Sequence, residues 1–227
     1  KFRIFTSFMY TPSILKLLNE YIRRSPNLES VELAFTINFK IEENISALTN
    51  LLANLSKLKR LNNLVLDLET LYLNPKTAGL IGMGLANLAG LRNLHINLRA
   101  NDGVLIEIMT DMLKPLNQLT ELESLVINTS ERFFAISGTE MNCFKDLLSG
   151  CPKLKHLELL GMCFSVQKFS SIGGLLQNRS SIDTLGLELS NLLQEGDIPL
   201  EEIFRELSGF KRVKLLINSL KSQQTVS

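Results

Sequence analysis

Residues 61–68 read Leu61-Asn62-Asn63-Leu64-Val65-Leu66-Asp67-Leu68, and the same spacing returns at Leu91-Arg92-Asn93-Leu94-His95-Ile96-Asn97-Leu98. In both stretches apolar and variable residues alternate, the period of a strand with one buried face. Outward from this pair, the pattern continues in both directions. It recurs from Leu28 through Val31 and Leu33 to Phe35, and from Leu122 through Leu125 to Ile127. It returns again from Leu154 through Leu157 to Leu159, from Ile182 through Leu185 and Leu187 to Leu189, and from Phe210 through Val213 and Leu215 to Ile217. The starts at 28, 61, 91, 122, 154, 182 and 210 are separated by 28 to 33 residues. A partial strand, Phe2-Arg3-Ile4-Phe5-Thr6, precedes Val31 by one more such step. A fixed period of this length is the signature of a repeat architecture.

Between the strands the apolar spacing turns helical. Thr11-Pro12 supplies a cap residue and a first-turn proline, and Ile14, Leu15, Leu17 and Leu18 then form an apolar side. Asn74-Pro75 and Asp102-Gly103 open further helices; Thr139-Glu140 precedes Met141, Cys143, Phe144, Leu147 and Leu148, and Pro199 precedes Ile203, Phe204 and Leu207. One strand–turn–helix unit cannot bury its apolar face alone, whereas stacked units form a parallel sheet on one side and helices on the other. The expected fold is therefore α/β: one unbroken solenoid of seven to eight repeats over residues 1–218, followed by a polar tail at 219–227.

These seven matches resemble the leucine-rich repeat family, in its long-repeat, ribonuclease-inhibitor-like type, over residues 1–218. The resemblance implies a horseshoe with a parallel concave β-sheet and convex α-helices, and it implies little about function. The chain departs from the family motif in the turn. The position that usually carries Asn or Cys is occupied by Thr36, Glu69, Arg99, Ser130, Met162 and Ser190, with only Asn218 matching. Asn38 and Asn101 appear two residues later in two repeats, so these turns must satisfy their backbone in another way. Cys151-Pro152-Lys153-Leu154 and the strand after it look like the cysteine-containing repeats of F-box ubiquitin-ligase receptors, although Cys163 falls one residue late.

Composition excludes several classes. Of 227 residues 45% are hydrophobic, 46 of them leucine, and the net charge is +1. Such a chain is too apolar to be disordered, and its charge balance supplies no global attraction to nucleic acid. No apolar run approaches the roughly 18 residues of a membrane helix. Three widely spaced cysteines, Cys143, Cys151 and Cys163, fit free buried thiols and a cytoplasmic location. Four glycosylation sequons begin at Asn44, Asn54, Asn128 and Asn178, but a chain rich in Asn and Ser generates such triplets by chance.

The residues of catalysis do not assemble. His95 and His156 lie two repeats apart, and the cysteine spacing matches no zinc pattern. The run Gly79-Leu80-Ile81-Gly82-Met83-Gly84 is neither a dinucleotide fingerprint nor a P-loop, and reads as a helix packed closely on its neighbours. Lys57, Lys59 and Arg60 are expected to complement a helix C-terminus. The chain is read as a non-enzyme with no cofactor and no metal.

Alternation assigns the solvent-facing positions of each strand, and their acidic residues Glu32, Asp67, Glu69, Glu158 and Glu188 outnumber the basic Arg3, Arg99 and Lys214. The expected function is protein–protein interaction. The candidate partner-binding residues are Asp67, Glu69, His95, Asn97 and Arg99 on neighbouring strands, with Phe133 and Phe134 on an adjoining loop. The partner expected is another protein with basic features, within a multi-subunit complex, with no membrane insertion and no nucleic acid. Three rival readings share the fold: the substrate-recognition part of a ubiquitin-ligase receptor, a GTPase activator of the Ran-activator type, and a structural subunit of a large assembly. Because end repeats expose core, further chain, a partner or an oligomer is expected to cover at least one end.

Overall fold

The computed structural model describes residues 1–9, 12–38, 40–100, 106–129, 140–165, 181–191 and 200–219. The elements alternate along the chain. Strands β1 (Phe2–Met9), β2 (Ser30–Asn38), β3 (Asn63–Leu71) and β4 (Asn93–Ala100) are separated by helices α1 (Pro12–Arg23), α2 (Glu42–Leu55) and α3 (Pro75–Ala86). Helix α4 (Ile106–Leu113) runs into a short 3-10 turn, Lys114–Gln118, before β5 (Ser124–Thr129). Then follow α5 (Glu140–Gly150), β6 (His156–Ser165), β7 (Thr184–Asn191), α6 (Leu200–Leu207) and β8 (Arg212–Ser219).

All eight strands form one open sheet in the order β1 to β8, every neighbouring pair parallel. The register aligns the repeat positions read from sequence: Val31, Leu64, Leu94, Leu125, Leu157, Leu185 and Val213 are in line across seven strands. Leu33, Leu66, Ile96, Ile127, Leu159, Leu187 and Leu215 form a second line. Except on the terminal strand β8, these residues are buried, in one apolar cluster with the inner faces of the helices. The intervening residues face away from the helices; among those described most are half-exposed or exposed, with Thr36, Thr184 and Gly186 buried, so this face of the sheet is open.

A backbone ladder ties each repeat to the next ahead of the strands. The Glu29 carbonyl accepts from Asn62 N–H and Asn63 N–H at 3.0 and 3.1 Å. The carbonyls of Asn62, Arg92, Glu123 and Lys155 each accept in the same way from two consecutive amides of the following repeat. At the other end of β2, Asn38 does part of the work of the missing turn asparagines. Its Oδ1 accepts from Lys40 N–H, and its carbonyl accepts from Asn44 Nδ2, both at 2.9 Å. Asn44 is thereby buried, so that sequon is closed to glycosylation.

Helix boundaries follow their local chemistry. Asn74 caps α3 through Oδ1, which accepts from Thr77 N–H at 2.9 Å, with Pro75 in the first turn. The glycine run permits close packing: a Cβ on Gly82 would collide with the Met112 carbonyl, and one on Gly84 would sit 2.7 Å from Leu52 Cδ1. Lys57, Lys59 and Arg60 lie just beyond the end of α2, with Lys57 Nζ 3.2 Å from Asn54 Oδ1. Asp102, Gly103, Thr139 and Pro199 lie outside the described residues.

Two apolar assignments need correction. In α1 only Leu15, Leu18 and Ile22 turn into the core, whereas Ile14 and Leu17 are 43% and 67% exposed. Ile14 occupies the position of Ala47 and Thr77 one and two repeats later, both buried. Asn19 bridges α1 to α2 by donating to the Ala47 carbonyl and accepting from Asn54 Nδ2, so this later position faces the preceding helix. Helix α1 has no preceding helix among the described residues, and its Tyr21 stacks instead on Phe2 with ring centroids 4.4 Å apart. Phe204 of α6, near the other end of the sheet, is likewise 59% exposed instead of packed inward.

Candidate binding face

The open face is built as rows, because parallel in-register strands place equivalent residues side by side about 4.8 Å apart, with rows about 6.7 Å apart along each strand. One row runs Arg3, Glu32, Val65, His95, Val126, Glu158, Gly186, Lys214. The row before it carries Ser30, Asn63, Asn93, Ser124, His156, Thr184 and Arg212. The row after it carries Ala34, Asp67, Asn97, Asn128 and Leu160.

The sequence-derived patch falls in one place. Val65 pairs with His95, Asp67 with Asn97 and Glu69 with Arg99 on adjacent strands β3 and β4. Asn97 Nδ2 donates to Asp67 Oδ1 at 3.1 Å, so these two side chains are coupled. Glu69 and Arg99 are placed beside each other by backbone register. Phe133 and Phe134 lie outside the described residues.

A second cluster was not singled out from the sequence. Glu158 on β6 holds Oε1 3.2 Å from His156 Nε2 and Oε2 3.4 Å from Lys214 Nζ, two strands away. Gly186 on the intervening strand makes this reach possible, since a Cβ there would stand 2.6 Å from Glu158 Cγ. The available signal was a glycine within a strand, which marks close approach by another group. On the same side of the sheet Arg212 Nε donates to Thr184 Oγ1 at 3.1 Å, and at the opposite edge Arg3 and Glu32 form an ion pair. The acidic residues with described side chains on this face, Glu32, Asp67 and Glu158, are therefore engaged within the molecule.

Charge pairs also join the repeats ahead of the strands. Glu123 lies 3.4 Å from Arg92 and 3.2 Å from Lys155, Asp183 lies 2.9 Å from Lys211, and Glu121 accepts from Lys153 at 2.6 and 2.7 Å. The Lys153 hydrogen bonds and charge hold the Glu121 carboxyl below the usual carboxylate range.

Chemically, the described face offers amides, hydroxyls, two imidazoles and paired charges. Among the described residues no three His, Cys, Asp or Glu side chains converge as a metal site. Cys143 and Cys151 are buried, and the Cys151 thiol is 3.5 Å from the Leu116 carbonyl. No helix among the described residues is long and apolar enough to cross a membrane.

No family model matches the chain. It is similar to NLR family CARD domain-containing protein 4 of Xenopus tropicalis, with 29% identity over 137 residues. That stretch is 59% of this chain and 13% of the relative, so the chain matches only a small part of a much longer protein. The similarity and the parallel sheet together fit a repeat protein.

Proposed function

We propose that this chain is a non-enzymatic protein-interaction scaffold: a leucine-rich repeat solenoid of the ribonuclease-inhibitor-like type that binds a partner protein on the concave side of its sheet. The observation that carries the reading is the in-order, all-parallel sheet with its described helices against one face, which leaves strands presenting half-exposed Asp67, His95 and Asn97 on the other. Side chains fixed on strands lose little freedom on binding, so their contacts convert efficiently into affinity. Distant similarity to an NLR family protein supports a protein-interaction repeat region. The odd number of cysteines, three, and the burial of Cys143 and Cys151 support a cytoplasmic setting.

The test is the double reversal Asp67→Lys with Glu69→Lys, assayed by calorimetry against a partner identified by cross-linking and mass spectrometry. The expected result is loss of binding with the melting temperature nearly unchanged. Retained binding, together with its abolition by Phe133→Ala or Phe134→Ala, moves the site to the loop edge.

A further inference from the structure

Both end repeats of the sheet leave apolar residues open at positions that the inner repeats bury or pack. At the β1 end, Tyr21 and Ile14 lie seven and fourteen residues before Leu28, and both are exposed. Seven residues before Leu61 and Leu91 stand Asn54 and Gly84, and both meet the preceding helix. Asn54 Nδ2 donates to Asn19 Oδ1 at 2.9 Å, and a Cβ on Gly84 would stand 2.7 Å from Leu52 Cδ1. Fourteen residues before Leu61 and Leu91 stand Ala47 and Thr77, both buried, and the Ala47 carbonyl accepts from Asn19. Ile14 and Tyr21 therefore occupy the surface by which a repeat meets the one before it. At the β8 end, Phe204 lies six residues before Phe210. The residues six before the other motif starts, Ile22, Leu55, Leu85, Leu116 and Leu148, are all buried, whereas Phe204 is exposed. Val213 is likewise the exposed member of a line that is buried on β2 to β7.

We propose that these two ends meet: the β1–α1 end of one copy of this chain stacks on the β8–α6 end of a second copy, head to tail, and continues the parallel sheet. The contact repeats one the molecule already contains, since every strand after β1 pairs in parallel with the strand before it. A second copy supplies what the β1 end lacks: an apolar repeat end whose edge strand runs in the matching direction. Charge favours the same arrangement. Helix α1 and the adjoining Arg24 carry Lys16, Arg23 and Arg24 against Glu20, whereas α6 carries Glu201, Glu202 and Glu206 against Arg205. The helices brought together are thus opposite in sign. Setting α1 against α1 about a two-fold axis would oppose like charges instead. The continued register places Lys214 beside Arg3, but Glu158 and Glu32 already neutralise these cations. Stacking leaves the open sheet face free, so it is independent of partner binding there.

The experiment is sedimentation velocity of the whole chain over about a hundredfold range of concentration. Wild type is compared with Ile14→Lys with Tyr21→Lys, which alters the β1 end, and with Phe204→Lys, which alters the β8 end. All three positions are exposed, and circular dichroism checks that the variants fold. The mean mass of wild type is expected to rise with concentration beyond that of two chains, because a head-to-tail contact leaves an open end on every assembly. Each variant alone should stay at the mass of one chain. An equal mixture of the two should reach the mass of two chains and stop there, because each supplies one intact end. Wild type at the mass of one chain throughout overturns the proposal. So does a dimer formed by either variant alone, which would mark a symmetric contact through a single end. A mixture no heavier than its components overturns it as well.

Discussion

The side chain of Glu158 lies across the α-carbon of Gly186, and this contact lets a residue of β6 reach a lysine on β8. Gly186→Ala is expected to lift Glu158 off the sheet. The alanine meets a flexible side chain, so the cost in stability stays near about 1 kcal/mol or below. The Glu158–Lys214 coupling, at most about 1 kcal/mol for a half-exposed pair, should vanish. A double-mutant cycle between Glu158→Gln and Lys214→Met, run in wild-type and Gly186→Ala backgrounds by urea denaturation, checks this. Equal coupling in both backgrounds would mean that Glu158 does not need the space left by Gly186 to reach Lys214.

Two glycines in one helix should behave oppositely when changed to alanine. At Gly79 the nearest outside atom to an added Cβ is Asp111 Cβ at 3.9 Å, so Gly79→Ala should stabilise by about 0.5–1 kcal/mol through helix propensity. At Gly82 the added methyl meets the rigid backbone of Met112, and Gly82→Ala should destabilise by about 1–3 kcal/mol. Chemical denaturation of the two variants separates the effects by sign.

The strands were legible because alternation along seven segments leaves only one register that turns the repeated motif positions inward, and Leu64, Leu94 and Leu125 do align. The candidate patch was legible for the same reason: Asp67 beside Asn97 follows once the register is fixed. The helix faces were less so, because Ile14, Leu15, Leu17 and Leu18 are all apolar and sequence does not say which side has a neighbour. Alternation places Glu158 and Lys214 on the open face, but their contact across Gly186 was not legible, because the pairing of a side chain with a partner two strands away leaves no local pattern.

That difference between apolar neighbours is measurable. Leu15 is 1% exposed and Leu17 is 67% exposed, two residues apart in α1. Leu15→Ala should cost about 2–5 kcal/mol by leaving a cavity, whereas Leu17→Ala should stay within about 0.5 kcal/mol. Comparable losses at both sites would mean that Leu17 is covered in solution.

The last prediction concerns pH. Lys153 donates to both carboxylate oxygens of Glu121 across adjacent repeats, and this hydrogen bonding, aided by the lysine charge, holds the Glu121 carboxyl below its ordinary range. A carboxyl whose pKa is depressed in the folded state contributes stability that is fully present above its unfolded value. The contribution is lost as pH falls through the folded value. Lys153→Met should therefore lower the urea midpoint slightly near neutrality. The gap to wild type should narrow as pH drops below the usual carboxylate range and close once the carboxyl is protonated in the folded state as well. High salt should shrink the neutral-pH gap too, because the pair is exposed and screened. The same substitution at Lys16, for which no ion pair is found among the described residues, provides the control. A Lys153→Met gap that persists undiminished at low pH would assign the effect to packing of the lysine stem instead of to the bond with Glu121.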